Sequence, residues 1–500
     1  MRKRLSALLR QPWALVLPLQ VLFLAGVALA RPGGGHTFGG SSSSSGSSHN
    51  SGSGSGDGGG DGGELVFMLI RLIIYYPKIG LPLLLVAAFF WWKVSRERNE
   101  AWATSRPKPV APTAQLQAIR AADPEFSQVI LEDFAYRLYA SAHRARHDAK
   151  ALGALSPYLA PDVQASLQKE APREKPVSHV VVGALRIAQV TTLAAAGDVP
   201  PCFELTLDFE ANLSTDAQHT EYVRETWTLR RDQRARTKPP EQAASLGCPN
   251  CGAPFSSTDG RRCAYCGQVV ADGRFDWLVV RREVKAREPR GPSLTGNVAE
   301  QGTDSGTVRA GDVDQRWAEL VASDPALDQA NFAARLKHIY ADLNRTWSAC
   351  ELEPMRPLVT DGMYDYLRYW VEAYRAQGLR NLLSDMQILR SQRVKIVRDK
   401  HFDAITVRIW ATGHDATVKA EGGEVVGGST RTLRNYSEYW TLIRSSSARG
   451  APRADASCPS CAAALSISMA GTCAHCGSHL TRGEFDWVLS KIEQDDVYEG

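Results

Sequence analysis

Two cysteine clusters, 210 residues apart and alike in every spacing, constrain this chain more than any other feature. Cys248-Pro-Asn-Cys251 is followed after eleven residues by Cys263-Ala-Tyr-Cys266, and Cys458-Pro-Ser-Cys461 after eleven by Cys473-Ala-His-Cys476. A C-x-x-C turn brings two thiolates to one metal, and two such turns complete a tetrahedral four-cysteine site. Gly252, Gly267 and Gly477 follow their pairs and permit the tight turn; Ala462 breaks that pattern, so its turn is expected to be looser. The spacing predicts two structural zinc ions, one on Cys248, Cys251, Cys263 and Cys266 and one on Cys458, Cys461, Cys473 and Cys476. Four cysteines leave no open position for water or substrate, which excludes a catalytic role for the metal. His475 and His479 stand beside the second cluster as substitute ligands, and Cys202 and Cys350 read as small buried residues.

The repeat extends beyond the cysteines. Phe275-Asp276-Trp277 returns as Phe485-Asp486-Trp487, and Glu225-Thr-Trp227-Thr-Leu229 returns as Glu438-Tyr-Trp440-Thr-Leu442. Asp123-Pro124 and Asp324-Pro325 each open an amphipathic stretch, with Asp expected to cap the helix that follows. Phe126, Ile130, Phe134 and Leu138 form one apolar stripe; Phe332, Leu336, Ile339, Leu343 and Trp347 form the other. Pro157 and Pro357 then interrupt the chain before a further helix. Strand-like runs follow, including Val180 to Ile187 and Ile405 to Ala411. Helices first and an antiparallel sheet after predict an α+β module made twice, over residues 123–285 and 312–493, joined by a Gly/Pro/Ser/Thr-rich linker at 286–311. Each cysteine ribbon, 248–267 and 458–477, falls between a W-T-L strand and an F-D-W strand, as an insertion in a hairpin.

The first 122 residues read differently. Residues 1–30 carry a basic start, an apolar stretch and Ala28-Leu29-Ala30, the parts of a secretory signal peptide; an uncleaved signal anchor is the alternative. Residues 31–64 are low complexity: of the 33 residues from Arg31 to Gly63, 14 are Gly and 10 Ser, too few apolar groups to offset ordering. His36 and His49 within it read as solvated residues. Residues 65–92 form an apolar segment, bracketed over its core by Tyr75-Tyr76 and Trp91-Trp92. It is expected to cross a membrane once, or to enter it as a hairpin, since Pro77 and Pro82 interrupt it. Lys93, Arg96, Arg98, Arg106 and Lys108 follow, in a juxtamembrane linker at 93–122. They place the modules on the cytoplasmic side of a plasma (inner) membrane.

The secretory start, the run Gly33-Gly34-Gly35-His36, the membrane segment and the helix-then-sheet module with its E-x-W-T strand resemble bacterial relatives of mitochondrial inner-membrane translocase subunit forty-four. The likeness covers residues 123–282 and 324–492. It implies a cone-shaped fold like nuclear transport factor two, a curved antiparallel sheet facing helices around an apolar pocket. It also implies membrane association and a scaffold role in protein translocation or membrane biogenesis, binding membrane lipid or a protein. Duplication and the ribbons depart from that family. Trp227, Trp277, Trp440 and Trp487 are then core or pocket wall. An isomerase- or dehydratase-type enzyme on the same fold needs a positioned base in that pocket. His179 and Asp208 make no such constellation, and His179 reads as an interior residue. The run Arg230, Arg231, Arg234, Arg236 and Lys238 gives the first ribbon a basic side, but a net charge of +4 over 500 residues makes nucleic-acid binding an outlier reading.

Overall fold

The computed structural model describes residues 112–500 apart from 171–175, 198–199, 216–218, 244, 258, 290–302, 452–456, 469–470 and 496. The expected signal peptide (1–30), Gly/Ser-rich segment (31–64) and membrane segment (65–92) lie outside the described residues, as do His36 and His49. Among the described residues no helix is long and apolar enough to cross a membrane.

The first half is built from α1 (Pro112–Ala122), α2 (Gln128–Ala145), α3 (Ala149–Gly153) and α4 (Pro161–Glu170). These are followed by β1 (His179–Leu193), β2 (Cys202–Ser214), β3 (Thr220–Asp232), a short α5 (Pro240–Ala243) and β4 (Leu278–Glu288). The second half repeats it with α6 (Val313–Ser323), α7 (Gln329–Ala349), a 3-10 turn (Glu353–Leu358) and α8 (Asp361–Ala376). Its strands are β5 (Leu379–Arg398), β6 (Phe402–Lys419), β7 (Val425–Ser445) and β8 (Val488–Gln494). Each half holds one four-stranded antiparallel sheet with strands in sequence order. The α+β class and the doubled sheet follow the sequence reading. The core of the first half, however, begins in α1, where Leu116 and Ile119 are buried, and not after a linker ending at 122.

The Asp-Pro pairs do something other than capping. Ser127 caps α2, its hydroxyl accepting from the Ile130 amide at 3.3 Å, and Asp328 caps α7, accepting from Asn331 at 2.7 Å. Asp123 is instead buried and ion-paired with Arg231 at 2.9 Å, and Asp324 with Arg444 at 2.9 Å. Each guanidinium also lies 4.7 Å from the centre of an indole, Trp277 or Trp487. The Asp thus ties the start of each half to the strand that leads into its ribbon. Such a pair offsets the cost of burying both charges only while both partners are present.

Phe126, Phe134 and Leu138 of the first stripe and all five residues of the second pack in the core of their own half, while Ile130 turns to the second sheet. A cavity of 590 Å³, lined by Arg335, His338, Asp342, Glu353 and Asp486, lies beside α7 at the second ribbon. Tyr139 stacks on Phe209 at 4.4 Å and lies 5.0 Å from Trp227, while Phe332 meets Trp487 edge-on at 5.6 Å. Trp227, Trp277, Trp440 and Trp487 are all 3% exposed or less, so they are core. The cavity under α2 measures 20 Å³, no more than a water's room. In the first half the space where the family resemblance implies an apolar pocket is filled by large side chains, since α2 contributes aromatics that reach the sheet.

The two halves pack against each other reciprocally. Val129 and Ile130 of α2 sit on the outer face of the second sheet with Phe402, Ala404, Ile443 and Val488. Val181 of β1 enters the core of the second half. The residues at 303–310, expected as linker, dock on that same second sheet: Arg408 donates to the Ser305 and Thr303 carbonyls, and the Val308 amide donates to Tyr439.

Candidate metal centres

Each ribbon leaves β3 or β7 and returns in β4 or β8. The return needs glycine: Gly273 and Gly483 both have φ 76°, and a Cβ there would meet the Arg230 carbonyl oxygen at 3.0 Å or that of Ile443 at 2.9 Å. The same hairpin base forms twice, with Asp232 donating to the Gly273 carbonyl at 2.9 Å and Ser445 to that of Gly483 at 2.7 Å.

Within each ribbon the two C-x-x-C turns are closed by matching amides. Gly252 donates to the Cys248 carbonyl at 2.9 Å, Gly267 to Cys263 at 2.9 Å, Ala462 to Cys458 at 2.8 Å and Gly477 to Cys473 at 2.9 Å. The turn at Ala462 is therefore no looser than the others. It is held at φ 59°, a left-handed conformation that costs a Cβ-bearing residue about 1–2 kcal/mol. Asp259 braces the second turn of the first ribbon. The amides of Arg262 and Arg261, and then the Ser257 hydroxyl, hold its carboxyl down to about 2.

The four sulfurs of each cluster all lie within 4.8 Å of one another. Cys248 and Cys266 are 3.8 Å apart, Cys251 and Cys263 3.9 Å, Cys458 and Cys476 3.8 Å, Cys461 and Cys473 4.0 Å. These are far beyond the ~2.05 Å of a disulfide. They match the edge of a tetrahedron with metal–sulfur bonds of about 2.3 Å, which is near 3.8 Å. Both clusters could hold a metal ion. Neither His475 nor His479 belongs to the second cluster; His479 approaches Glu484 at 3.8 Å. Cys202 is buried as expected, and Cys350 is half-buried and forms the left-handed cap of α7.

Two other expectations change. The basic run before the first ribbon is largely neutralised: Arg230 pairs with Glu204, Arg231 with Asp123, Arg234 with Asp232 and Lys238 with Asp276. His179 is exposed, not interior, and lies 3.6 Å from Glu372 of α8, while Asp208 accepts from the Thr226 hydroxyl at 2.6 Å.

Sequence reasoning missed a buried polar cluster in the first half. Glu225 accepts from Trp227 Nε1 at 2.8 Å, pairs with Arg282 and lies 3.3 Å from His143 Nε2. Glu170 takes the other side of Arg282 at 2.7 Å. Burial pushes the His143 pKa down, while Glu225, despite its burial, is held well below the usual carboxylate range by His143 and Arg282. The E-x-W signature was the available signal, since Glu438 accepts from Trp440 Nε1 in the same way at 2.9 Å.

Comparison with known families gives one match. The model described as Tim44-like domain covers residues 313–453. The second half carries a Tim44-like domain. The match runs from α6 through β7 and stops short of the second cysteine cluster. No curated protein matches the chain.

Proposed function

We propose that this chain is a non-enzymatic scaffold: two Tim44-like modules, each stiffened by a zinc ribbon, held at the inner face of a membrane by the N-terminal part. There they bind a protein or lipid, in the service of protein translocation or membrane biogenesis. The observation that carries the reading is the aromatic and aliphatic packing between helices and sheet in each module. An enzyme on this fold needs an open pocket with a positioned acid or base. The buried titratable cluster around Glu225 is instead sealed in the core with its partners engaged. Paired basic residues before the first ribbon argue in the same direction against nucleic acid. Zinc, once bound to the two cysteine sets, supplies a crosslink and no chemistry, because four thiolates close its coordination sphere.

The test is affinity capture of the full chain from detergent-solubilised membranes, with mass spectrometry of proteins and lipids. Enrichment of a defined protein or lipid over an unrelated membrane bait supports the scaffold; turnover of a small molecule by the purified chain, lost on changing Glu225, overturns it. Metal analysis of the same preparation should return two zinc ions per chain. A reporter that works only when exported, fused after Gly500, should stay silent; activity there places the modules on the other side of the membrane.

A further inference from the structure

The 590 Å³ cavity between the second ribbon and its module is within the size range of small-molecule sites. One wall is α7 and the 3-10 turn, with Arg335 and Leu358; the other is the ribbon and its two stems, with Ser457, Leu465, Ile467 and Phe485. The first half has aromatic side chains at this place. Leu159 bridges to Val279 as Val359 does to Leu489, so Tyr158 stands where Leu358 does. Counting from the Asp-Pro pairs sets Phe134 against Arg335, and counting from the first cysteines sets Gly247 against Ser457. The Phe134 and Tyr158 rings lie 5.5 Å apart, and the Tyr158 hydroxyl reaches the ribbon, donating to the Gly247 carbonyl at 2.7 Å. The cavity that borders both rings measures 20 Å³.

The second half lacks both rings. Leu358 is too short to cross to the ribbon, and Arg335 commits its guanidinium to the Trp487 carbonyl at 2.9 Å and to Asp486 at 3.4 Å. Phe275 packs with the first ribbon's own cluster, whereas its counterpart Phe485 is 36% exposed. The charged groups on the wall ask for no ion. Arg356 pairs with Asp361 at 2.9 Å, His338 lies 3.8 Å from Asp342, and Glu353 accepts from the Tyr364 hydroxyl at 2.8 Å. Arg335, His338 and Arg356 stand against Asp342, Glu353 and Asp486, so the wall is balanced in sign and an uncharged occupant is its electrostatic match.

We propose that this cavity takes an aromatic side chain of a bound polypeptide, in the place that Tyr158 fills in the first half. The inference rests on the scaffold reading and names a chemical feature of its protein partner. Aromatic anchors seated in a desolvated pocket supply much of the affinity of protein interfaces. The ribbon forms one wall of the cavity. Binding therefore depends on metal at Cys458, Cys461, Cys473 and Cys476 and not on the first cluster.

The test uses the full zinc-loaded chain in detergent micelles and a blocked pentapeptide, Gly-Gly-X-Gly-Gly with meta-fluorotyrosine at X, followed by fluorine NMR. Saturable binding of one peptide per chain is expected. Unlabelled peptide with Tyr or Phe at X should compete, and one with Ala should not. Leu358→Tyr, which restores the first half's side chain, should weaken binding about tenfold or more, with zinc content and melting temperature unchanged. Cys458→Ser with Cys461→Ser should abolish binding, and Cys248→Ser with Cys251→Ser should leave it. Undiminished binding by Leu358→Tyr or by the second-ribbon variant, competition by the Ala peptide, or no saturable binding overturns the proposal. So does binding of N-acetyltyrosinamide without binding of the pentapeptide, which would assign the cavity to a free aromatic compound. Each of these outcomes leaves the scaffold reading to be decided by affinity capture from membranes.

Discussion

Ala462 shows how far a local rule can be read from sequence and where it stops. Its departure from glycine is visible in the sequence, but the cost falls on backbone strain and not on geometry, since the surrounding hydrogen bonds are kept. Ala462→Gly should then stabilise the second ribbon by about 1 kcal/mol, seen as roughly fivefold more chelator needed to strip its metal. An unchanged chelator midpoint would mean that the strain is relieved elsewhere. The eight cysteines were legible because each ribbon gathers its four from one short stretch. His143 and Glu225 were not, because their meeting depends on α2 crossing β3, 82 residues away. That meeting has a pH consequence. With its folded pKa below the ordinary value near 6.5, His143 stays neutral in the core while the unfolded chain takes a proton, so stability present above pH 6.5 is lost as pH falls below it. Glu225, also depressed, adds a further loss below the ordinary carboxylate range. His143→Asn places the residue found at the matching Asn344 and should flatten the decline between pH 7 and 5, which the wild type follows at up to about 1.4 kcal/mol per pH unit for this proton. Denaturant titrations at several pH values would show it, and parallel curves would exclude His143 as the source.

At the scale of elements, the ribbon is a separate packing unit. Cys248, Cys263 and Val270 form their own small cluster with Phe255, Cys266 and Phe275, apart from the core that holds Trp227 and Trp277. So few apolar contacts cannot hold the ribbon without metal, whereas isolated structural zinc sites gain on the order of 10–16 kcal/mol on binding. Cys248→Ser with Cys251→Ser should therefore open residues 248–267 to proteolysis while the sheet signal in circular dichroism survives. Loss of that signal would mean that the hairpin base needs its ribbon to form. Insertion in a hairpin was readable from the order of the W-T-L strand, the cysteines and the F-D-W strand. The role of the Asp-Pro pairs was not, because Asp beside Pro reads as a helix start until the partner guanidinium, 108 residues on in the first half, is known.

Across the whole molecule, the sequence repeat foretold two modules but not that each would help bury the other. The reason lies in strand β6, where Phe402 to Ile409 is buried without interruption. Its polar members are compensated: Asp403 pairs with Arg398 and Arg408 with Asp495. A strand with one solvated face would alternate; this one is covered by α7 and α8 on one side and by α2 and the 303–310 segment on the other. The polar residues in its sequence pattern hid that second covered face. Because Val181 of the first half lies in the second core and Ile130 sits on the second sheet, neither half keeps all its burial when the other unfolds. The described unit should thus melt in one calorimetric transition. Ile443→Ala, at the contact with Ile130, removes buried methyl groups worth about 2–5 kcal/mol. If the halves are coupled, hydrogen exchange should quicken in β2 of the first half as well as in β6. Faster exchange confined to β5–β8, or two resolved melting transitions, would show instead that the modules fold independently and merely touch.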